Sequence, residues 1–256
     1  MSDDLTQLLS DWPYEPGQLA VRLIDGDDGR TKIQLRVDLG IMQMETDGRP
    51  DGQRPNGYES LLEYEESHLD IMTYEGVDPG RFALSAETCR QLREEAAQYY
   101  HRYVAMFVLE DFDAVVRDTA RNLRLLDFFA DYASEDEDRS SGEQFRAYIL
   151  MMRTRALSTQ AIRDGESKAA KLLIDDGIDQ IRKHYEEMGA PTEVFEQSKE
   201  IQLLRGMHET LTPKLPTSPM AELSDRLRKA VLDENYELAA ILRDELKAMD
   251  SSPPKG

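Results

Sequence analysis

Apolar residues recur along this chain with two different periods, and the change of period divides it. Between residues 18 and 45 the period is two. Leu19, Val21 and Leu23 alternate with polar or small neighbours, the turn-forming run DGDDGR follows, and Ile33, Leu35, Val37, Leu39 and Ile41 alternate again. Successive strand residues point to opposite faces, so this spacing predicts a β-hairpin with one buried face. After Gly40 the apolar phase shifts by one residue, to Met42 and Met44, which reads as a bulge or bend beside the glycine. A lone hairpin is marginal in water, so its apolar face is expected to pack against helices in the main body.

The stretch DGRPDGQRPN (47–56) is rich in glycine and proline and predicts a loop. Beyond it the period becomes helical. Tyr58, Leu61, Leu62, Leu69 and Met72 fit one helix, with Asn56 as its N-cap. Ser85 is placed to cap a longer helix that carries Cys89, Leu92, Ala96, Tyr99, Tyr103 and Met106 on one side. Further helices are expected over 113–133, 143–163, 167–188 and 192–209, with the acidic run Glu135–Asp138 as a solvated loop. Residues 151–184 resemble a tetratricopeptide hairpin. Leu157, Ser158, Ala161, Gly165, Ala170, Ile174 and Gly177 follow its alternation of large and small positions about a turn. VLEDFDAVVRDTARNL (108–123) resembles the second half of another such unit, although Arg102 and Tyr103 stand upstream where an apolar and a small residue belong. The two turns lie about 54 residues apart, not the roughly 34 of a regular array. The expectation is an irregular helical bundle or solenoid, against the plainer reading of a generic helical domain.

Composition narrows the function classes. The 256 residues include 51 Asp and Glu against 31 Lys and Arg, a formal net charge of −20. That balance repels a phosphate backbone and disfavours direct nucleic-acid binding. The start, MSDDLTQLLSDW, lacks a basic region and an apolar run, and no stretch approaches the ~20 apolar residues of a membrane span, so a cytoplasmic location is expected. A single cysteine, Cys89, leaves no intramolecular disulfide or thiolate-built metal site.

The C-terminal region carries the most specific signal. TPKLPTSP (212–219) reads as a proline-punctuated linker, and SSPPKG (251–256) as a disordered tail. Ser218 and Pro219 form a helix start, and Leu223, Leu227, Ala230 and Val231 make an apolar stripe. The chain then breaks at DENY before Tyr236, Ala239, Ala240, Ile241, Leu242, Leu246 and Met249. Two helices of about a dozen residues bury too little to stand alone, so they need something to pack on. The string LRKAVLDENYELAAILRDELKAM resembles the UVR motif, found in the helicase and nuclease subunits of bacterial nucleotide-excision repair. That motif also occurs in some Clp-type unfoldases and in an activator of a protein arginine kinase. The resemblance implies a helical hairpin that binds a similar hairpin on a partner. Ala230, Val231, Tyr236, Ala239 and Ala240 would form its core. Leu227, Tyr236, Ala239, Arg243, Asp244 and Leu246 would carry the partner contact. The alternative is an intramolecular helix pair with no partner. Helicase motifs, a nuclease centre and zinc cysteines are missing from the sequence, so the resemblance does not extend to repair chemistry.

Candidate chemistry elsewhere is sparse. Glu65-x-x-His68 has the spacing of a di-iron carboxylate motif, but such sites need a second copy and two more carboxylates. Histidines 68, 101, 184 and 208 form no close ligand pair. Cys89 and His101, the latter among Tyr99, Tyr100 and Tyr103, read as packing residues. No phosphate-binding glycine loop or nucleophile elbow occurs. GRPDGQRPNG places Arg49 and Arg54 on a stiff loop leading to a helix N-terminus, where an anion would be stabilised.

These readings give a mainly α protein with a small N-terminal β-hairpin, an irregular helical bundle or solenoid, and a C-terminal antiparallel helical hairpin. The expected divisions are 1–78 (hairpin and first helix, packed on the body), 79–211 (helical, tetratricopeptide-like), 212–219 (linker) and 220–250 (UVR-type hairpin). The expected function is that of a non-catalytic adaptor with no catalytic residue, cofactor or metal. Its partner would be another UVR-motif protein, in repair or Clp-type proteolysis, or a second copy of the chain as a homodimer. The rival reading is a small-molecule or phosphate-handling enzyme, or a ligand sensor, using the Arg49/Arg54 loop.

Overall fold

The computed structural model describes residues 4–211, together with Leu227 and Arg243. The chain divides into two units, 1–208 and 209–256, and the elements up to His208 belong to the first.

A short helix α1 (Thr6–Asp11) leads to three strands, β1 (Val21–Asp25), β2 (Thr31–Val37) and β3 (Gly40–Glu45), antiparallel in the order β1-β2-β3. The predicted hairpin is therefore a three-stranded sheet, and the predicted bulge at Gly40 is a chain reversal. Asp38 and Leu39 form a two-residue turn, so Val37 pairs with Gly40, Leu35 with Met42 and Ile33 with Met44. The one-residue phase shift places Met42 and Met44 on the same face as Leu35 and Ile33 once the strand has turned back. Leu39 sits in the turn and is 87% exposed, while Ile41 pairs with Arg36 on the opposite face. The apolar face (Ile33, Leu35 and Met44) is buried, and β2 packs against a long helix described below.

On the opposite face the middle strand carries polar side chains that are nonetheless buried, Lys32, Gln34 and Arg36. Arg22 Nε donates to Gln34 Oε1 (2.9 Å), and Gln34 Nε2 donates to Gln43 Oε1 (3.0 Å), a ladder across all three strands. The Arg22 guanidinium lies over the Trp12 ring at 4.1 Å. Arg36, buried, donates to the carbonyls of Trp12 (2.7 Å), Asp38 (3.1 Å) and Gly40 (3.0 Å), and also to that of Val37. The N-terminal segment is thereby tied to the β2–β3 turn.

The helices follow as α2 (Leu61–Tyr74), α3 (Ala86–Val108), α4 (Phe112–Tyr132), α5 (Asp136–Arg139), α6 (Glu143–Arg163), α7 (Ser167–Glu187), α8 (Thr192–Gln197) and α9 (Lys199–Leu211). Helix α3 is capped as predicted, Ser85 Oγ accepting from Thr88 N at 3.1 Å. Asn56 does not cap α2. It lies in a 3-10 turn with φ 52°, and the cap is Ser60, which accepts from Glu63 N at 3.1 Å. The acidic run is not a loop: it forms α5, and Asp138 is buried against Arg93. The predicted helix over 192–209 breaks at Ser198, whose backbone is extended.

Two antiparallel pairs, α3–α4 and α6–α7, make the bulk of the body, and α4 packs on α6. Glu110 closes the first turn with φ 64°, and Gly165 the second with φ 78°. At Gly177 the pair α6–α7 is so close that a Cβ would meet Thr154 Oγ1 at 2.1 Å. Between α2, α3 and α4, Leu62, Phe82, Leu84, Cys89, Leu92, Leu125, Phe128 and Phe129 form a continuous core, each burial contributing about 1.5–3 kcal/mol for a large apolar side chain. No helix among the described residues is long and apolar enough to cross a membrane.

Candidate functional site

The loop after β3, predicted as a place for an anion, is where charged side chains gather. Arg102 on α3 is 1% exposed and makes a two-pronged bond to Asp118 on α4, Nε to Oδ2 at 2.6 Å and Nη2 to Oδ1 at 2.8 Å. Its third nitrogen donates to the carbonyls of Gly48 (2.8 Å) and Glu45 (3.2 Å) in the loop. Arg117 donates to Asp118, to Asp47 (2.8 Å) and to the Thr46 carbonyl (2.9 Å). Gln98 Nε2 donates to Asp51 at 3.1 Å. The segment 45–51 is thus fastened to the α3–α4 pair along its length.

Arg49 and Arg54 go different ways. Arg49 turns inward, within ion-pair distance of Asp51 (3.2 Å) and of the fully buried Glu95 (3.4 Å), whereas Arg54 is exposed. The N-terminus of α2 already holds a carboxylate of the protein itself. Glu95 accepts from Leu61 N (2.8 Å) and Leu62 N (3.3 Å) and is paired with Arg121. A buried carboxylate there supplies the negative charge and the acceptors that a helix N-terminus favours. Tyr99 lies between Arg102 and Arg121, its ring 4.9 and 4.4 Å from their guanidinium carbons. Burial pushes the Arg121 guanidinium below its usual value, and Glu95 opposes that shift. Glu95, Asp118 and Arg121 were not singled out from the sequence, and Arg102 stood out only as a charged residue at a position where an apolar one belongs. One signal was present: Arg102 and Asp118, 16 residues apart, stand symmetrically about the turn at Glu110, where an antiparallel helix pair brings them face to face.

A second feature lies between α3, α4 and α6: a cavity of about 730 Å³. Leu125, Leu126 and Phe129 line it from α4, Ala96, Ala97, Tyr100 and Tyr103 from α3, and Phe145, Tyr148 and Ile149 from α6. Tyr100 and Phe145 are large, exposed rings at 40% and 57%. Polar groups are few: Asn122, Ser141, Gln144, Arg93 and Glu200. The volume falls in the range of small-molecule sites, roughly 300–1,000 Å³, which are mostly apolar with a few placed polar groups.

The remaining candidates lie in the packing. Cys89 is fully buried in the core, and burial pushes its thiol up to about 11, which suppresses the thiolate. Burial alone lowers the His101 imidazole from its usual range. His68 stacks on Tyr64 and meets Phe82 edge-on, while burial raises the Glu65 carboxyl against the pull of His68. Among the described residues, no group of three His, Cys, Asp or Glu side chains is arranged to hold a metal ion.

Of the residues predicted to bind a partner, Leu227 and Arg243 are helical, the first half-buried and the second exposed. Tyr236, Ala239, Asp244 and Leu246, together with the predicted linker, lie outside the described residues. Residues 218–252 match the family model described as the UvrB/uvrC motif. The match covers the string that suggested the motif in the sequence. No match was found among curated proteins or among solved structures.

Proposed function

We propose that the chain is a non-catalytic adaptor that docks through residues 218–252. The observation that carries this reading is the UvrB/uvrC motif match over those residues. The partner is a protein bearing a similar helical hairpin, such as a component of DNA repair or of a Clp-type protease, or else a second copy of this chain. Arg243, exposed on a helix, contributes a polar contact to that partner, and Leu227 supports the apolar stripe. The net charge of −20 argues for a protein partner over direct contact with nucleic acid.

The body supports the adaptor reading over the enzyme reading at the 47–57 loop. Arg49 and Arg102 there are drawn to carboxylates and carbonyls of the protein itself, and the helix N-terminus is occupied by Glu95. These groups fasten a loop to a scaffold. The test is affinity capture from the native cell with the full chain and with a version ending at Thr212. Proteins held by the full chain and lost from the shorter one are the expected result, and Arg243→Glu should weaken their binding about tenfold or more. Equal capture by both versions sinks the proposal, because the docking surface would then lie in residues 1–212.

A further inference from the structure

We infer that the cavity between α3, α4 and α6 is a binding site for a small, uncharged, ring-bearing molecule with a hydrogen-bond acceptor at its buried end. Its size and apolar walls set the bulk of the ligand: about 730 Å³, floored by Leu125, Leu126 and Phe129 and flanked by Tyr100 and Phe145. Aromatic walls favour a ring through offset or edge-to-face contact.

The polar end is set by two interior side chains. Tyr103 lines the cavity and is 1% exposed, yet its hydroxyl makes no hydrogen bond to any described residue. The hydroxyl is not among the side-chain atoms that are both fully buried and without a partner, so it reaches the cavity, where water or a ligand acceptor meets it. Burial also raises the Tyr103 phenol far above its ordinary value, so it stays protonated and has a proton to donate. Asn122 is 4% exposed and lines the same space. Its Oδ1 accepts from Arg121 (3.0 Å) and one N–H of its Nδ2 goes to the Ala96 carbonyl (3.0 Å), which leaves the second N–H to give. Two donors facing an apolar space ask for an acceptor such as a ketone, amide carbonyl or ring nitrogen.

The charges argue against an ionic ligand. Arg93 and Glu200, the charged lining residues, have opposite signs, and Arg93 is already paired with Asp138. An ion drawn into this space would lose its hydration without a matching counter-charge. A partner's apolar side chain would fill the mouth but leave both donors unmatched.

The probe is 6-propionyl-2-(dimethylamino)naphthalene, a neutral naphthalene ketone whose emission shifts to the blue in apolar surroundings, titrated against the full chain. Saturable binding of about one probe per chain is expected. Ala97→Trp, at an exposed position on the wall, should abolish it without unfolding the protein, as checked by circular dichroism. Tyr103→Phe keeps the ring and should weaken binding roughly 3–10-fold, the worth of one hydrogen bond. Dimethylaminonaphthalene, which lacks the ketone, should bind equally to the wild type and to Tyr103→Phe. Unsaturable binding, or undiminished binding in Ala97→Trp, overturns the site. Undiminished ketone binding in Tyr103→Phe overturns the ligand class.

Discussion

Arg102 and Asp118 show how far a single position can depart from pattern and still obey physics. Both are essentially without exposure, at positions where a helix pair ordinarily puts apolar groups. Removing water from two charges is costly, and the pair holds because every prong of the guanidinium finds an oxygen. Replacing Asp118 by Ala should therefore lower stability by about 3–5 kcal/mol, read from urea denaturation midpoints. The double replacement Arg102→Met, Asp118→Leu should recover most of that loss. The sequence showed Arg102 as an anomaly in a helical pattern but not its partner, since pairing depends on the register of two helices. A second prediction at this scale concerns pH. Burial lowers the His101 imidazole, so the unfolded chain takes up a proton first as pH falls. The neutral His101 thus favours the fold above the unfolded value of about 6.5, and that contribution is lost as pH falls towards the lowered folded value. His101→Gln should narrow the difference in urea midpoint between pH 7.5 and pH 5.5. An unchanged difference would show that His101 titrates alike in both states.

Among the elements, legibility followed the source of each boundary. Helices α6 and α7 begin and end within a residue of their expected limits, because apolar period and a glycine turn at Gly165 both mark them. The strand reversal at Asp38–Leu39 was misread because an apolar residue at a turn tip continues a period-two pattern as well as a strand residue would. The cap of α2 was misplaced because Asn56 and Ser60 are both good capping residues. The choice between them is made by Glu95 on another helix, which holds the backbone of Leu61 and Leu62. Gly177 was legible as a small residue in a hairpin, and its geometry gives a prediction. Alanine favours a helix over glycine by about 1 kcal/mol, yet Gly177→Ala should destabilise by roughly 1–3 kcal/mol. The new methyl would meet Thr154 Oγ1 at 2.1 Å and Cγ2 at 2.6 Å. Adding Thr154→Ala removes both atoms and should restore part of the loss. Thermal unfolding of the wild type, the two single variants and the double variant measures this coupling, and additive effects would show that the helices part without strain.

For the molecule as a whole, the chain falls into two compact units, 1–208 and 209–256. The last buried side chains described are Ile201 and Leu204, and Pro213, Pro216 and Pro219 follow in the sequence, each without an N–H to share across the boundary. A chain ending at Thr212 should therefore unfold cooperatively, with the urea dependence expected of its length. Net charge then bears on which partner is met. Two copies of a chain with a formal charge of −20 repel each other over a Debye length that runs from about 30 Å at 0.01 M salt to about 8 Å at 0.15 M. Sedimentation of the full chain at 0.01 M salt should accordingly give the monomer mass of 29.3 kDa, and any self-association through residues 218–252 should strengthen as salt rises. A basic partner behaves the other way, because its attraction is screened and its association slows with added salt. A dimer that is tightest at low salt would contradict the repulsion argument and place complementary charges within the interface itself. Truncation and salt dependence together thus separate a homodimer from a complex with a different, more basic protein.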